Sequence, residues 1–192
     1  MRHLLLPAQA WWDAQRFDQP MWQVAAWRDQ KVRHIHLHVA KALGKVVALL
    51  DEEAPSASGT DFKARVRDEV LPDVAIYRSQ LINLLPDGCV LPSSLSHGST
   101  GVGTSEGEPL WHVVLRLSRA SAKLAAYLEP REHGESSPTS LLSEAIENLH
   151  ASAAELATAF GVDLTHVHRA RLEALLGVSL PASLVHEEET HR

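Results

Sequence analysis

His34, His36 and His38 crowd into one short run of a chain that carries twelve histidines. His34 and His38 stand at i, i+4, which puts two imidazoles on one face of a helix while His36 points elsewhere. With His112 as a third donor, such a face would suit a transition metal. Spacing alone fixes no coordination geometry, however, and no cysteine pair or His-Glu-x-x-His motif accompanies it. The simpler expectation is partly exposed histidines at the end of a helical bundle. His166 and His168 are two apart and diverge on a helix. Gly101-Val-Gly-Thr-Ser-Glu-Gly lacks both the Lys-Ser/Thr continuation and the preceding apolar strand of a phosphate loop, so it reads as linker. No Ser-His-Asp arrangement stands out among so many serines and histidines. Trp11, Trp12, Trp22 and Trp27 cluster before the repeat and are candidates to line a base-stacking pocket, but aromatics at near-helical spacing more often anchor packing. They suggest an N-terminal segment that docks as an extra helix on the bundle or on a second chain.

The elements that must position these residues are repeated. His34–Asp51 lies over His112–Glu129 without a gap, matching Leu37 with Leu115, Ala42 with Ala120, Lys45 with Lys123 and Ala48 with Ala126. Lys41 against Arg119 and Asp51 against Glu129 keep their charge. Such a repeat implies two copies of one helical unit, each needing the other to bury its apolar face. Breakers agree with this division. Pro55–Thr60 and Pro130–Pro138 interrupt the two halves at comparable places, and Pro92–Pro109 has the Ser/Gly/Thr composition of a linker.

Between the breakers the apolar period is helical. Leu37, Ala40, Leu43, Val46, Val47 and Leu50 form one expected core stripe; Val74, Tyr77, Leu81, Leu84 and Leu85 form another; Leu149, Ala153, Leu156 and Phe160 a third. Asp61 is a candidate cap for a helix near Phe62, and Thr139 or Ser140 for one near Leu141. Pro72 requires either a new helix starting in its vicinity or a kink. The expected fold is all-α: an antiparallel bundle of about four core helices built from two helix-loop-helix units, with flanking helices. Residues 1–33 form a Trp-rich helical segment, 34–86 the first unit, 87–110 the linker, 111–180 the second unit and 181–192 a tail.

Composition narrows the function classes. With 45% hydrophobic and 22% charged residues the chain is globular. A formal charge of −6 with no basic cluster argues against nucleic acid as a partner. The single Cys89 allows no internal disulfide and fits a reducing cytoplasm. Met1–Ala10 superficially resembles a signal peptide, but Pro7 and Trp11-Trp12-Asp13 cut its apolar run short. No stretch approaches the ~20 apolar residues of a membrane helix. The expectation is a cytoplasmic protein without a membrane partner.

Two segments resemble the MazG-like nucleoside triphosphate pyrophosphohydrolases. Glu69-Val-Leu-Pro-Asp-Val-Ala-Ile-Tyr-Arg-Ser-Gln-Leu-Ile-Asn-Leu-Leu85 is similar to that family's second core helix, which typically reads Glu-Glu-x-x-Asp-Val followed by an apolar run. Ser143–His150 and Ala157–Leu164 resemble the same helix and its Leu-Gly-Ile-Asp exit. The helix before each resembles the first core helix, usually Glu-Glu-x-Gly-Glu-Leu. The resemblance covers roughly residues 34–86 and 111–175. It implies carboxylates on facing helices that hold Mg²⁺, which bridges the substrate phosphates and activates water for attack between the α and β positions.

At the positions that align with the family's metal ligands this chain has Ala42 and Lys45, then Val70 and Asp73, in the first half. The second half has Ala120 and Lys123, then Ala145 and Asn148. Only Asp73, with Glu69 beside it, keeps a ligand-type residue, and a charged lysine repels the ion. The reading is a catalytically degenerate member, a pseudoenzyme with no catalytic residue to name, that binds a nucleotide or a protein partner and is compatible with a homodimer. No cofactor is expected. The alternative is an active Mg²⁺-dependent pyrophosphohydrolase, releasing NMP and pyrophosphate from NTPs. It would draw on unaligned acids among Asp51, Glu52, Glu53, Asp68, Glu69, Glu144 and Glu147. A third, unrelated possibility is a His-bearing metalloprotein bundle. If the helices pack as in the family, Lys45 should meet Asp73. Lys123, facing Asn148, should find Glu144 or Glu147 in a looser arrangement.

Overall fold

A computed structural model describes residues 5–17, 27–52, 64–85 and 108–180. These form six α-helices and, among them, no strand. Helix α1 is Leu6–Phe17, α2 Trp27–Glu52, α3 Leu71–Ile82, α4 Glu108–Glu132, α5 Ser140–Phe160 and α6 Leu164–Leu176. A π-helical turn, Val66–Val70, leads directly into α3. The bundle expected from the sequence is the architecture observed. Helices α2, α4, α5 and α3 pack side by side in that cyclic order, and α1 and α6 lie on α3.

The repeat shows in the core. Ile35, Val39, Ala42, Val46 and Leu49 of α2 are buried, and so are their counterparts Val113, Leu117, Ala120, Leu124 and Tyr127 of α4. This corrects the stripe expected on α2, of which Val46 is buried and Leu43 and Leu50 lie partly buried against the core's edge. Leu37 is 64% exposed and Val47 46% exposed, because α2 is apolar on two faces and the inward one begins at Val32 and Ile35. The other two stripes are placed as expected: Val74, Leu81 and Leu84 are buried, as are Leu149, Ala153 and Leu156.

Helix α3 is enclosed on nearly every side, with Leu71, Val74, Ala75, Ile76, Arg78, Ser79, Gln80, Leu81 and Ile82 all buried. Its inner face meets the four-helix core. Ile76 turns the other way, onto Leu5 and Leu172, in a smaller cluster beneath α1 and α6. Pro72 is accommodated by the π turn. The Leu71 N–H bonds back to the Val66 carbonyl, and Pro72 falls in the first turn of α3, where a missing N–H costs little. One chain path thus combines both sequence options, a local irregularity and a restart.

Helix ends follow ordinary rules with one correction. Gly161 (φ 63°) closes α5 and Gly177 (φ 68°) closes α6, each in the left-handed region that a side chain disfavours. Asp163 then caps α6 by accepting from the His166 N–H at 3.0 Å. Thr139 does precede α5, but its backbone is already helical and its side chain makes no cap bond. The Asp61 cap, the Pro55–Thr60 loop, Trp22, Cys89, the Gly101–Gly107 run and the 181–192 tail lie outside the described residues.

Candidate functional site

Asp73, the acid that the resemblance singles out, sits at a three-element junction. Asp73, in the first turn of α3, lies 4.0 Å from Lys45 Nζ of α2. Its closer partner is Arg171 of α6, whose Nη2 donates to Asp73 Oδ1 at 2.7 Å. Lys45 in turn lies nearer to Glu69, at 3.4 Å, and Arg65 Nε approaches Glu69 at 3.9 Å. The expected Lys45–Asp73 contact therefore exists at the outer limit of an ion pair, within a chain of alternating charges. Sequence reading missed Arg171, since an arginine on an amphipathic helix carries no signal that separates it from a solvated one.

The second half repeats the arrangement. Lys123 Nζ lies 2.5 Å from Glu144 Oε2. Glu144 is the residue that aligns with Glu69, so a Lys–Glu pair links the first and second helices of each unit at matching positions. The second pair is the tighter, contrary to the looser contact expected, because Lys123 has one acid to satisfy and Lys45 is shared between two. Asn148 instead donates to the Glu144 carbonyl at 2.7 Å along its own helix. These pairs are about a third or more exposed on most sides, so each contributes only ~0–1 kcal/mol.

The remaining aligned positions are packing positions. Ala42, Val70, Ala120 and Ala145 are buried in the apolar core and offer no donor atom. Among the described residues, no three His, Cys, Asp or Glu side chains gather closely enough to hold a metal ion. The donor set thus does not fit the Mg²⁺ that the resemblance implies. Of the unaligned acids, Glu53 and the side chain of Glu52 lie outside the described residues, and the others do not gather into a metal-binding group. Asp68 is held by Arg67 at 2.6 and 2.9 Å, Asp51 is exposed, and Glu144 faces Lys123.

Nor do His34, His38 and His112 form a metal centre. His34 and His38 stack edge to face with centroids 4.4 Å apart. His38 Nδ1 pairs with the Tyr77 hydroxyl at 2.9 Å, on the edge of the Asp73 cluster. Burial and then the Lys41 charge lower the His38 pKa, with Asp73 opposing. Burial above all, then the Asp73 charge, pushes the Tyr77 hydroxyl well above its usual range. His36 faces Ser121 of α4 at 3.0 Å, and burial lowers its pKa.

Two buried polar centres had no sequence signature. Under α1, Asp13 accepts from Gln9 at 2.9 Å, from Gln80 at 2.8 Å and from Lys31 at 3.0 Å, all four residues being buried. His168 of α6 reaches Gln9 Oε1 at 3.4 Å. A carboxylate with this many donors is satisfied in place of water, and it ties α1 to α2, α3 and α6. Trp11 and Trp27 take no part in it, being 57% and 40% exposed. The second centre joins α3 to α5, where the Arg78 Nη1–H donates to His150 Nδ1 at 2.9 Å. Burial lowers Arg78 to about 10 and, with the Arg78 charge adding to it, lowers His150 to about 4.

Against models of known protein families, curated proteins and solved structures, the chain matches none. No helix of the described residues is long and apolar enough to cross a membrane.

Proposed function

We propose that this chain is a catalytically degenerate MazG-like protein that works by binding a partner rather than by hydrolysing nucleotides. The observation that carries this reading is the paired substitution. Lys45 and Lys123 stand where the resemblance would put metal ligands, and each pairs at a matching position with an acid one residue before an aligned site, Glu69 and Glu144. A fixed ammonium there neutralises the acid that a divalent ion would need. A protein partner is favoured over a nucleotide. Lys45, Arg171 and Arg65 each already face a carboxylate, which leaves a triphosphate little unpaired positive charge to meet.

The test is pyrophosphate release over standard and common modified nucleotides with Mg²⁺ or Mn²⁺. No turnover above background is expected, and the same nucleotides should not raise the melting temperature. Metal-dependent turnover that disappears in Asp73→Ala would replace this reading with an active enzyme drawing on unaligned acids. A nucleotide-induced rise in melting temperature without turnover would move it to nucleotide binding.

A further inference from the structure

The outward side of the α2/α4 layer is as regular as its buried side. Leu37, Lys41, Gly44, Ala48 and Asp51 recur at alternating four- and three-residue steps and are all exposed. Leu115, Arg119, Ala122, Ala126 and Glu129 repeat the pattern on α4 and are exposed as well. Alternating four- and three-residue spacing is what keeps one helix face turned toward a second helix. Leu37 at 64%, Leu115 at 50% and Trp111 at 61% expose large apolar side chains on this side.

Gly44 supplies an independent observation. It stands inside α2, where glycine is a poorer helix former than any residue except proline. A Cβ built at this position would meet nothing within 4 Å. The described fold therefore has no internal need for glycine here. A surface against which another backbone approaches closely would have one.

We infer that this face is where a second copy of the chain docks, its helices antiparallel to those of the first. The charges choose both the occupant and the direction. In an antiparallel pairing centred between Gly44 and Ala48, Lys41 of one copy falls opposite Asp51 of the other. Centring on Ala122 and Ala126 places Arg119 opposite Glu129 in the same way. Arg131 meeting Asp29 and His36 meeting Ser121 set α4 antiparallel to α2, with Arg119 level with Lys41. A crossed α2–α4 contact about a two-fold would therefore oppose like charges, so like helices must pair. A parallel, in-register pairing would set like charges together. The face is thus complementary to itself, the requirement of a contact built from the same patch on both copies. Small residues at the centre allow close helix approach, with Leu37, Leu115 and Trp111 covering the ends. The inference rests on this surface alone and is independent of the proposed function.

Sedimentation equilibrium of the full chain tests it. A dimer is expected at about 100 µM, above the µM range in which even weak interfaces of standard size associate. L37E/L115E should weaken association by ~30-fold or more, as loss of anchoring side chains does, with unchanged helicity by circular dichroism. Should that variant fold poorly, charge exchange gives a second route. K41E/R119E should weaken the dimer, and adding D51K and E129K should restore it whichever helices pair. A chain that stays monomeric at this concentration, or a dimer indifferent to both sets of changes, overturns the inference.

Discussion

At the scale of single residues, exposure decides how much each charge matters. Lys123→Ala removes a half-exposed partner of Glu144 and is expected to cost ~0–1 kcal/mol in urea denaturation. Lys31→Ala strands the buried Asp13 carboxylate and is expected to cost ~3–5 kcal/mol by the same measurement. Similar losses for the two variants would show that the Asp13 centre is far wetter than its burial implies. His150 gives a pH signature. Its folded pKa, held near 4 by burial and by the Arg78 charge, lies below the ordinary value of 6.5. Between those values the unfolded chain binds the extra proton, so stability should decline as pH falls from about 6.5 toward 4. His150→Gln should flatten that decline, read as the difference in urea midpoint between pH 7 and pH 5. An unchanged slope would assign the effect to His36 and His38, which burial shifts in the same direction.

At the scale of elements, the same residue type has opposite value on the two faces of a helix. Leu124→Ala opens a cavity in the four-helix core and is expected to cost ~2–5 kcal/mol. Leu37→Ala, at an exposed position of α2, should change the stability of an isolated copy by within about ±0.5 kcal/mol. Thermal unfolding of a dilute sample compares them. Helix ends give a further prediction. Gly161 occupies the left-handed region between α5 and α6, with open space around it. Gly161→Ala should therefore lose ~1–2 kcal/mol through backbone strain alone, without any clash. A neutral result would mean that the α5–α6 corner relaxes out of its left-handed turn.

For the whole molecule, α3 is the organising element because it faces two cores. Leu172→Ala thins the smaller one, where Leu5 and Ile76 meet Leu172. Hydrogen exchange should then quicken in α1 and α6 while α4 and α5 keep their protection, since their own core is untouched. Uniform loss of protection would mean that the two clusters unfold as a unit. The polar ties point the same way. The Asp13 centre and the Asp73–Arg171 pair both fasten flanking helices to α3 and leave the α4–α5 hairpin aside.

The sequence by itself determined the helical class, because periodicity is a local property. The break expected from Pro130 comes later, since α4 carries Pro130 inside it and ends at Glu132. The sequence also showed that the positions the resemblance aligns with metal ligands are mostly apolar or basic, as Ala42, Lys45, Val70, Ala120, Lys123 and Ala145 are. It misjudged which stripe of α2 turns inward. A helix apolar on two faces has no single phase, and the choice belongs to the partners that α3, α4 and α5 present. Only the tertiary structure decided that Arg171, not Lys45, is the close partner of Asp73. The same holds for the gathering of Asp13, Lys31 and Gln80 under α1, and for the matching ion pairs of Lys45 with Glu69 and Lys123 with Glu144. Each of these contacts joins residues far apart in the chain, and which charge meets which is set by helix packing and burial.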